Sequence, residues 1–176
     1  MQAKIWIATL LLTAAGLVGP GARAVVDGDV LPKLNVPKYQ GGGELSNASL
    51  EGKVTLVNFW ATWCAACKVE LVEMEEQLKP LFAEKDVQVA FVSLDKDPEK
   101  AAEWFQGHLK DPKALLDHLY NDSKFEVADS LKVDSFPMTL IIGRDGKVAH
   151  VQHGFKEGEG STANLAKLVQ TMLKTK

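Results

Sequence analysis

The run Val54-Thr55-Leu56-Val57-Asn58-Phe59-Trp60 leads within four residues into Cys64-Ala65-Ala66-Cys67, and this junction constrains the chain more than any other stretch of it. β-Branched and aromatic residues in a nearly unbroken apolar run suit a buried strand that ends near Ala61. Beyond the cysteines, Leu71, Met74, Leu78 and Leu81 recur at spacings of three, four and three, the apolar face of a helix limited by Pro80. Two cysteines therefore sit where a buried strand turns into a helix.

The remaining elements extend that pattern. Val87 to Leu94 is a second apolar run of strand length, and Asp97-Pro98 opens a helix whose apolar face carries Trp104, Phe105 and Leu109; proline suits a first turn because its missing N–H costs nothing there. Residues 111–122 read as a short helix or a loop, and Phe125 to Leu131 as a helical turn or two. Met138 to Ile142 and Val148 to Val151 are strands joined by Arg144-Asp145-Gly146-Lys147, a hairpin turn in which glycine supplies the positive φ. Leu165, Leu168, Val169 and Met172 mark one face of a last helix. Crossover connections make the first two strands parallel and the hairpin makes the last two antiparallel, so the expected fold is α/β with a central mixed sheet flanked by helices.

The first residues stand apart from this globule. Lys4 precedes an apolar stretch, Ile5 to Val18, followed by Gly19, Pro20, Gly21 and Ala22-Arg23-Ala24, the pattern of an export signal with an Ala-x-Ala cleavage site. Residues 1–24 are thus expected to be a signal peptide or, if kept, a membrane anchor through residues 5–22. Residues 25–50, with Pro32, Pro37 and Gly41-Gly42-Gly43, read as an extended lead-in able to form a short hairpin, and 51–176 as the globular domain. No Lys-Ser/Thr follows the three glycines, which favours a flexible turn over a phosphate loop. Without residues 1–24 the basic count falls from 20 to 18 against 23 acids, a net charge of −5. An acidic body with no basic cluster argues against nucleic acid as a partner.

Cys64 and Cys67 are the only cysteines. A disulfide closing so small a ring constrains the unfolded chain little, so stability is a poor reason for the pair. Reactivity is a better one: the free N–H groups and positive dipole end of a helix N-terminus favour a thiolate, the nucleophile of disulfide exchange. Cys64, at the helix edge, is the expected attacker; Cys67, nearly one turn on and on the same side, is the expected resolver. Zinc would need two further ligands, and His150 and His153 are placed on opposite faces of a strand. Cu(I) suits two thiolates and stays open as a carrier reading. A peroxidase would need a proline upstream and a hydroxyl residue at a fixed spacing, whereas Trp63 stands between Thr62 and Cys64.

The segment Phe59-Trp60-Ala61-Thr62-Trp63-Cys64-Ala65-Ala66-Cys67-Lys68 resembles the thioredoxin superfamily, and with an export signal it is similar to the TlpA-like thiol-disulfide oxidoreductases over about Leu45 to Leu173. Phe136-Pro137-Met138-Thr139 resembles the family's cis-proline loop. The resemblance implies a thioredoxin-like fold, catalysis at Cys64 and Cys67, and substrate contacts at Trp63, Phe136 and Pro137. Glu70 matches an acidic residue that many TlpA-like reductases place beneath the cysteines, where it would tune the thiols or move a proton. Two departures matter. Asn58 stands where thioredoxin has a buried Asp and can only hydrogen-bond, and Ala65-Ala66 replaces the commonest spacer, leaving the redox poise open across roughly −270 to −120 mV.

The resemblance further implies an extracytoplasmic, in bacteria periplasmic, reductase of disulfide-containing clients such as apocytochrome c. A membrane thiol donor would regenerate it, and neither cofactor nor metal is called for. An oxidase or isomerase using the same pair, and a non-enzymatic Cu(I) or client-binding module, are the alternatives.

Overall fold

A computed structural model describes residues 23–175. The export-signal reading covers residues 1–24, of which 1–22 lie outside the described residues; among the described residues no helix is long and apolar enough to cross a membrane.

The strand expected from the opening run forms as β3 (Val54–Trp60), and all seven of its residues are buried. It is the middle strand of a five-stranded sheet. β4 (Val87–Ser93) lies parallel on one side, with β5 (Leu119–Asn121) parallel beyond it. β6 (Met138–Ile142) and then β7 (Val148–His153) lie antiparallel on the other side, giving the order β5-β4-β3-β6-β7. Mixed pairing follows from the connections: the helical crossover α2 (Ala65–Leu78) enforces a parallel neighbour, and the 144–147 turn, with Gly146 at φ 74°, an antiparallel one.

Successive strand residues point to opposite faces, and β3 divides its side chains accordingly. Val54, Leu56 and Trp60 join the core under α2, α3 (Pro98–His108), α4 (Pro112–Leu116) and α6 (Ser161–Lys174). There Trp60 stacks on Phe105 with ring centroids 5.2 Å apart. Val57 and Phe59 face the opposite core, built with α5 (Glu126–Leu131) and the N-terminal segment. Asn58 belongs to the first series, and so points toward α2.

Residues 25–50 do form a hairpin, β1 (Asn35–Pro37) against β2 (Glu44–Ser46), with Gly41, Gly42 and Gly43 all at positive φ in the turn, followed by the single turn α1 (Asn47–Leu50). Within this segment Val25, Leu31, Leu34, Val36, Leu45 and Leu50 are buried in the second core.

The 111–122 stretch corrects the sequence reading. The short helix is present as α4, but three further residues form edge strand β5, with Phe91 opposite Leu119 and Ser93 opposite Asn121. A three-residue strand has no measurable periodicity, and only pairing with β4 defines it.

Helix α2 departs from a simple amphipath. It buries Cys67, Leu71, Met74 and Leu78 but also Glu70 and Glu75, while Val69 and Val72 are about two-fifths exposed.

Candidate active site

Strand β3 ends at Trp60, whose carbonyl accepts from Leu94 N (2.9 Å). The chain then turns through Ala61-Thr62-Trp63, and Asp95 holds this turn: its carboxylate accepts from Thr62 N (3.0 Å), Thr62 Oγ1 (2.7 Å) and Ser93 Oγ (2.9 Å). Asp95 is buried, and three donors compensate its lost hydration. Nothing in the sequence reading pointed to it; the one available signal was an acid directly after an apolar run, at the end of a strand that parallels β3.

Cys64 comes next as the N-cap of α2, with extended backbone (φ −92°, ψ 106°), and its Sγ accepts from Cys67 N at 3.2 Å. Ala65 and Ala66 then begin the helix, a good choice where helix propensity has to act within one turn. The two cysteines form a disulfide with Cα atoms 5.3 Å apart. They are not equivalent: Cys64 retains 9 % exposure and Cys67 none.

Trp63, 60 % exposed, meets Phe136 edge to face at 5.7 Å between ring centroids. This contact ties the cysteine turn to the loop before β6. The Phe136–Pro137 peptide bond is cis, as the resemblance to the family's proline loop implies, and Pro137 O accepts from Gly154 N at 2.7 Å. Trp63, Cys64, Phe136 and Pro137 are thereby brought to one end of the sheet.

Glu70 is fully buried. It lies three residues after Cys67 on the same helix, a spacing that places side chains about 5–6 Å apart at Cβ. Asn58 Nδ2 donates to Glu70 Oε2 (2.9 Å) and Gln152 Nε2 to Glu70 Oε1 (3.1 Å). Burial pushes the Glu70 carboxyl up to about 7; the Asn58 hydrogen bond counters this, the nearby Glu73 charge adds to it, and the Gln152 hydrogen bond counters it again. Asn58 does hydrogen-bond, as its residue type demands, and bridges Glu70 to Thr139 Oγ1 (2.9 Å). Gln152 carried no sequence signal, and Thr139 only that of the proline loop it closes; pairing of β6 with β3 sets Thr139 beside Asn58, and pairing of β7 with β6 brings Gln152 to Glu70.

His150 and His153 do not meet: His150 lies 4.0 Å from Asp27 and His153 3.4 Å from Ser135. Among the described residues no cluster of three or more His, Cys, Asp or Glu could hold a metal ion.

A disulfide capping the helix that follows the central strand, beside a cis-proline loop on a thioredoxin-like sheet, defines a TlpA-like thiol-disulfide oxidoreductase. The chain belongs to the Redoxin family, whose sequence model matches residues 26–169. It is 34 % identical over 107 residues to thiol-disulfide oxidoreductase ResA of Oceanobacillus iheyensis, a match covering 61 % of this chain and 53 % of the relative, so about half the relative's length. It is 29 % identical over 147 residues to thiol:disulfide interchange protein DsbE of Pseudomonas aeruginosa, covering 83 % of this chain and 77 % of that one. The crystal structure of StoA from Bacillus subtilis superposes with a TM-score of 0.61 at 18 % identity, over 79 % of this chain and 98 % of that one, which speaks for the fold alone.

Proposed function

We propose that the protein is an exported reductase of protein disulfides, with Cys64 as attacking thiol, Cys67 as resolving thiol and Glu70 as proton acceptor. The observation that carries this reading is the asymmetry of the pair. Cys64 is the more accessible residue of the two and occupies the N-cap, where a backbone N–H already points at its sulfur and would stabilise a thiolate; Cys67 is fully buried.

The Cys64 thiolate attacks one sulfur of the client disulfide, forming a mixed disulfide and expelling the other client sulfur as thiolate. Cys67 then gives its proton to the Glu70 carboxylate. Its sulfur attacks Cys64 Sγ, which closes the intramolecular disulfide and releases the second client thiolate. The client gains two electrons and the Cys64–Cys67 pair loses two; a membrane thiol donor returns them. Trp63, Phe136 and Pro137 form the surface an extended client segment would approach. Exported proteins with cysteine pairs, apocytochrome c among them, are the client class this reading names, and a periplasmic or equivalent extracytoplasmic setting follows from residues 1–24, whether cleaved or kept as an anchor.

The mature chain is expected to reduce insulin disulfides with dithiothreitol as donor, and Cys64→Ala to abolish this. Activity that survives the substitution overturns the assignment of Cys64. Equilibration against glutathione fixes direction: a potential near about −120 mV would make the protein an oxidase.

A further inference from the structure

One row of the sheet is chemically out of place. Across the three strands, Asn58 of β3 stands opposite Thr139 of β6, and Thr139 opposite Gln152 of β7. The next row on the same face reads Leu56, Ile141 and His150, with Leu56 and Ile141 fully buried in the first core. Three polar side chains in register beneath a helix are costly unless each finds a partner, since an unpaired buried amide or hydroxyl costs on the order of 1–3 kcal/mol. Asn58 and Thr139 are essentially inaccessible, and Gln152 is half-buried at the sheet edge.

The partner they share is Glu70. Its two carboxylate oxygens are held separately, Oε2 by Asn58 from the middle strand and Oε1 by Gln152 from the edge strand, and Thr139 braces Asn58 from below. Two amides on two different strands fix the plane of one carboxyl group on a helix. The same groups suit its protonated form. An amide and a hydroxyl both donate and accept, and Asn58 Oδ1 has no partner among the described residues. A half-turn of the Asn58 amide presents that oxygen to a Glu70 hydroxyl. An Asp in place of Asn58 would bring a second carboxylate.

We propose that Asn58, Thr139 and Gln152 are positioning residues that hold the Glu70 carboxyl in place through both of its charge states. The proposal rests on the reading of Glu70 as the proton acceptor of Cys67. Other charged or titratable groups near the site are few: on α2, Cys67 precedes Glu70 and Glu73 follows it, Glu73 accepting from Thr162 Oγ1 of α6 (2.9 Å). On β7, His150 lies two residues from Gln152 and near Asp27. The strand groups that touch Glu70 are all uncharged.

Gln152→Leu keeps the shape and removes the donor at a half-exposed edge position. Carboxyl-carbon NMR of the labelled full chain is expected to show Glu70 titrating about one pH unit higher, as loss of a hydrogen bond to a charged group implies. The limb of the kcat/KM profile for insulin reduction that reports Glu70 should move with it. Asn58→Leu should shift both in the same direction; should it fail to fold, the Gln152 variant decides alone. Glu70→Gln separates the two layers of the argument. If it erases that limb while Gln152→Leu leaves titration and profile in place, Glu70 keeps its role and the positioning proposal falls. If Glu70→Gln leaves the limb untouched, the proton-acceptor reading falls and the proposal with it.

Discussion

Replacing Glu70 by glutamine should make the oxidised protein less sensitive to alkali, by an amount the buried carboxyl sets. The group moves from an ordinary 4.5 to about 7 on folding. A folded value above the unfolded one means that, between those limits, the native state binds more protons than the unfolded state. Stability therefore falls as pH rises from 4.5 to 7 and levels off above. At about 1.4 kcal/mol per pH unit the loss amounts to about 3 kcal/mol. Glutamine has no charge to bury, and the free Asn58 Oδ1 can accept from its amide. Urea unfolding of both proteins with the disulfide intact, at pH 4 and pH 8, gives the quantity needed: the stability of the variant minus that of the parent. The subtraction removes His118 and every other group common to both. That difference should grow by about 3 kcal/mol toward pH 8. A difference that stays constant with pH would refute the reasoning, because it would mean that the carboxyl is not held neutral by its site.

Asn58→Asp would place a second carboxyl 2.9 Å from Glu70 Oε2. The pair should then titrate as a coupled unit that keeps one proton well above neutral pH, visible by carboxyl-carbon NMR as two separated steps. Asp95→Ala strips the Thr62 backbone, the Thr62 hydroxyl and the Ser93 hydroxyl of their acceptor. A cost of roughly 2–4 kcal/mol is expected in urea unfolding, with faster amide hydrogen exchange at Thr62 before β3 itself responds.

Much of this architecture could be read from residue order. The seven-residue run of β3, the 71-74-78 spacing of α2, the Asp97-Pro98 helix start and the Asp145-Gly146 turn each carry a local signal, and each forms where expected; Leu81, read as the next position of that helix face, instead lies in a 3-10 turn, Lys79–Leu81, with Pro80 near its start, beyond the end of α2. The cysteine pair was legible by its place at a strand-to-helix junction and Pro137 by the resemblance of its loop to a family motif; the Cys64–Cys67 disulfide and the cis Phe136–Pro137 bond are found there. Strand β5 was not, because three residues become a strand only when β4 accepts them. Glu70 falls between these cases. Its spacing from Cys67 and Met74 puts it on the buried face, yet Glu73, Glu75 and Glu76 surround it in sequence, and four carboxylates on one helix read as a solvated surface. Asn58 was the other half of that signal, a lone amide inside a wholly buried strand. That the two answer each other depends on the helix lying over β3, which no local pattern reports. Gln152 depends on the register of β7 and was invisible.

The mixed character of α2 bears on the order in which the molecule assembles. A helix that exposes Val69 and Val72 while burying Glu70 and Glu75 has no clean greasy stripe to draw it onto a sheet early. Its buried carboxylate finds one donor 12 residues away on β3 and the other 82 residues away on β7. The nearer bond can form with β3 and α2 alone; the farther one waits until the β6–β7 hairpin has closed against the centre strand, a late and long-range event. The helix carrying the disulfide therefore settles fully only when the far edge of the sheet is in place.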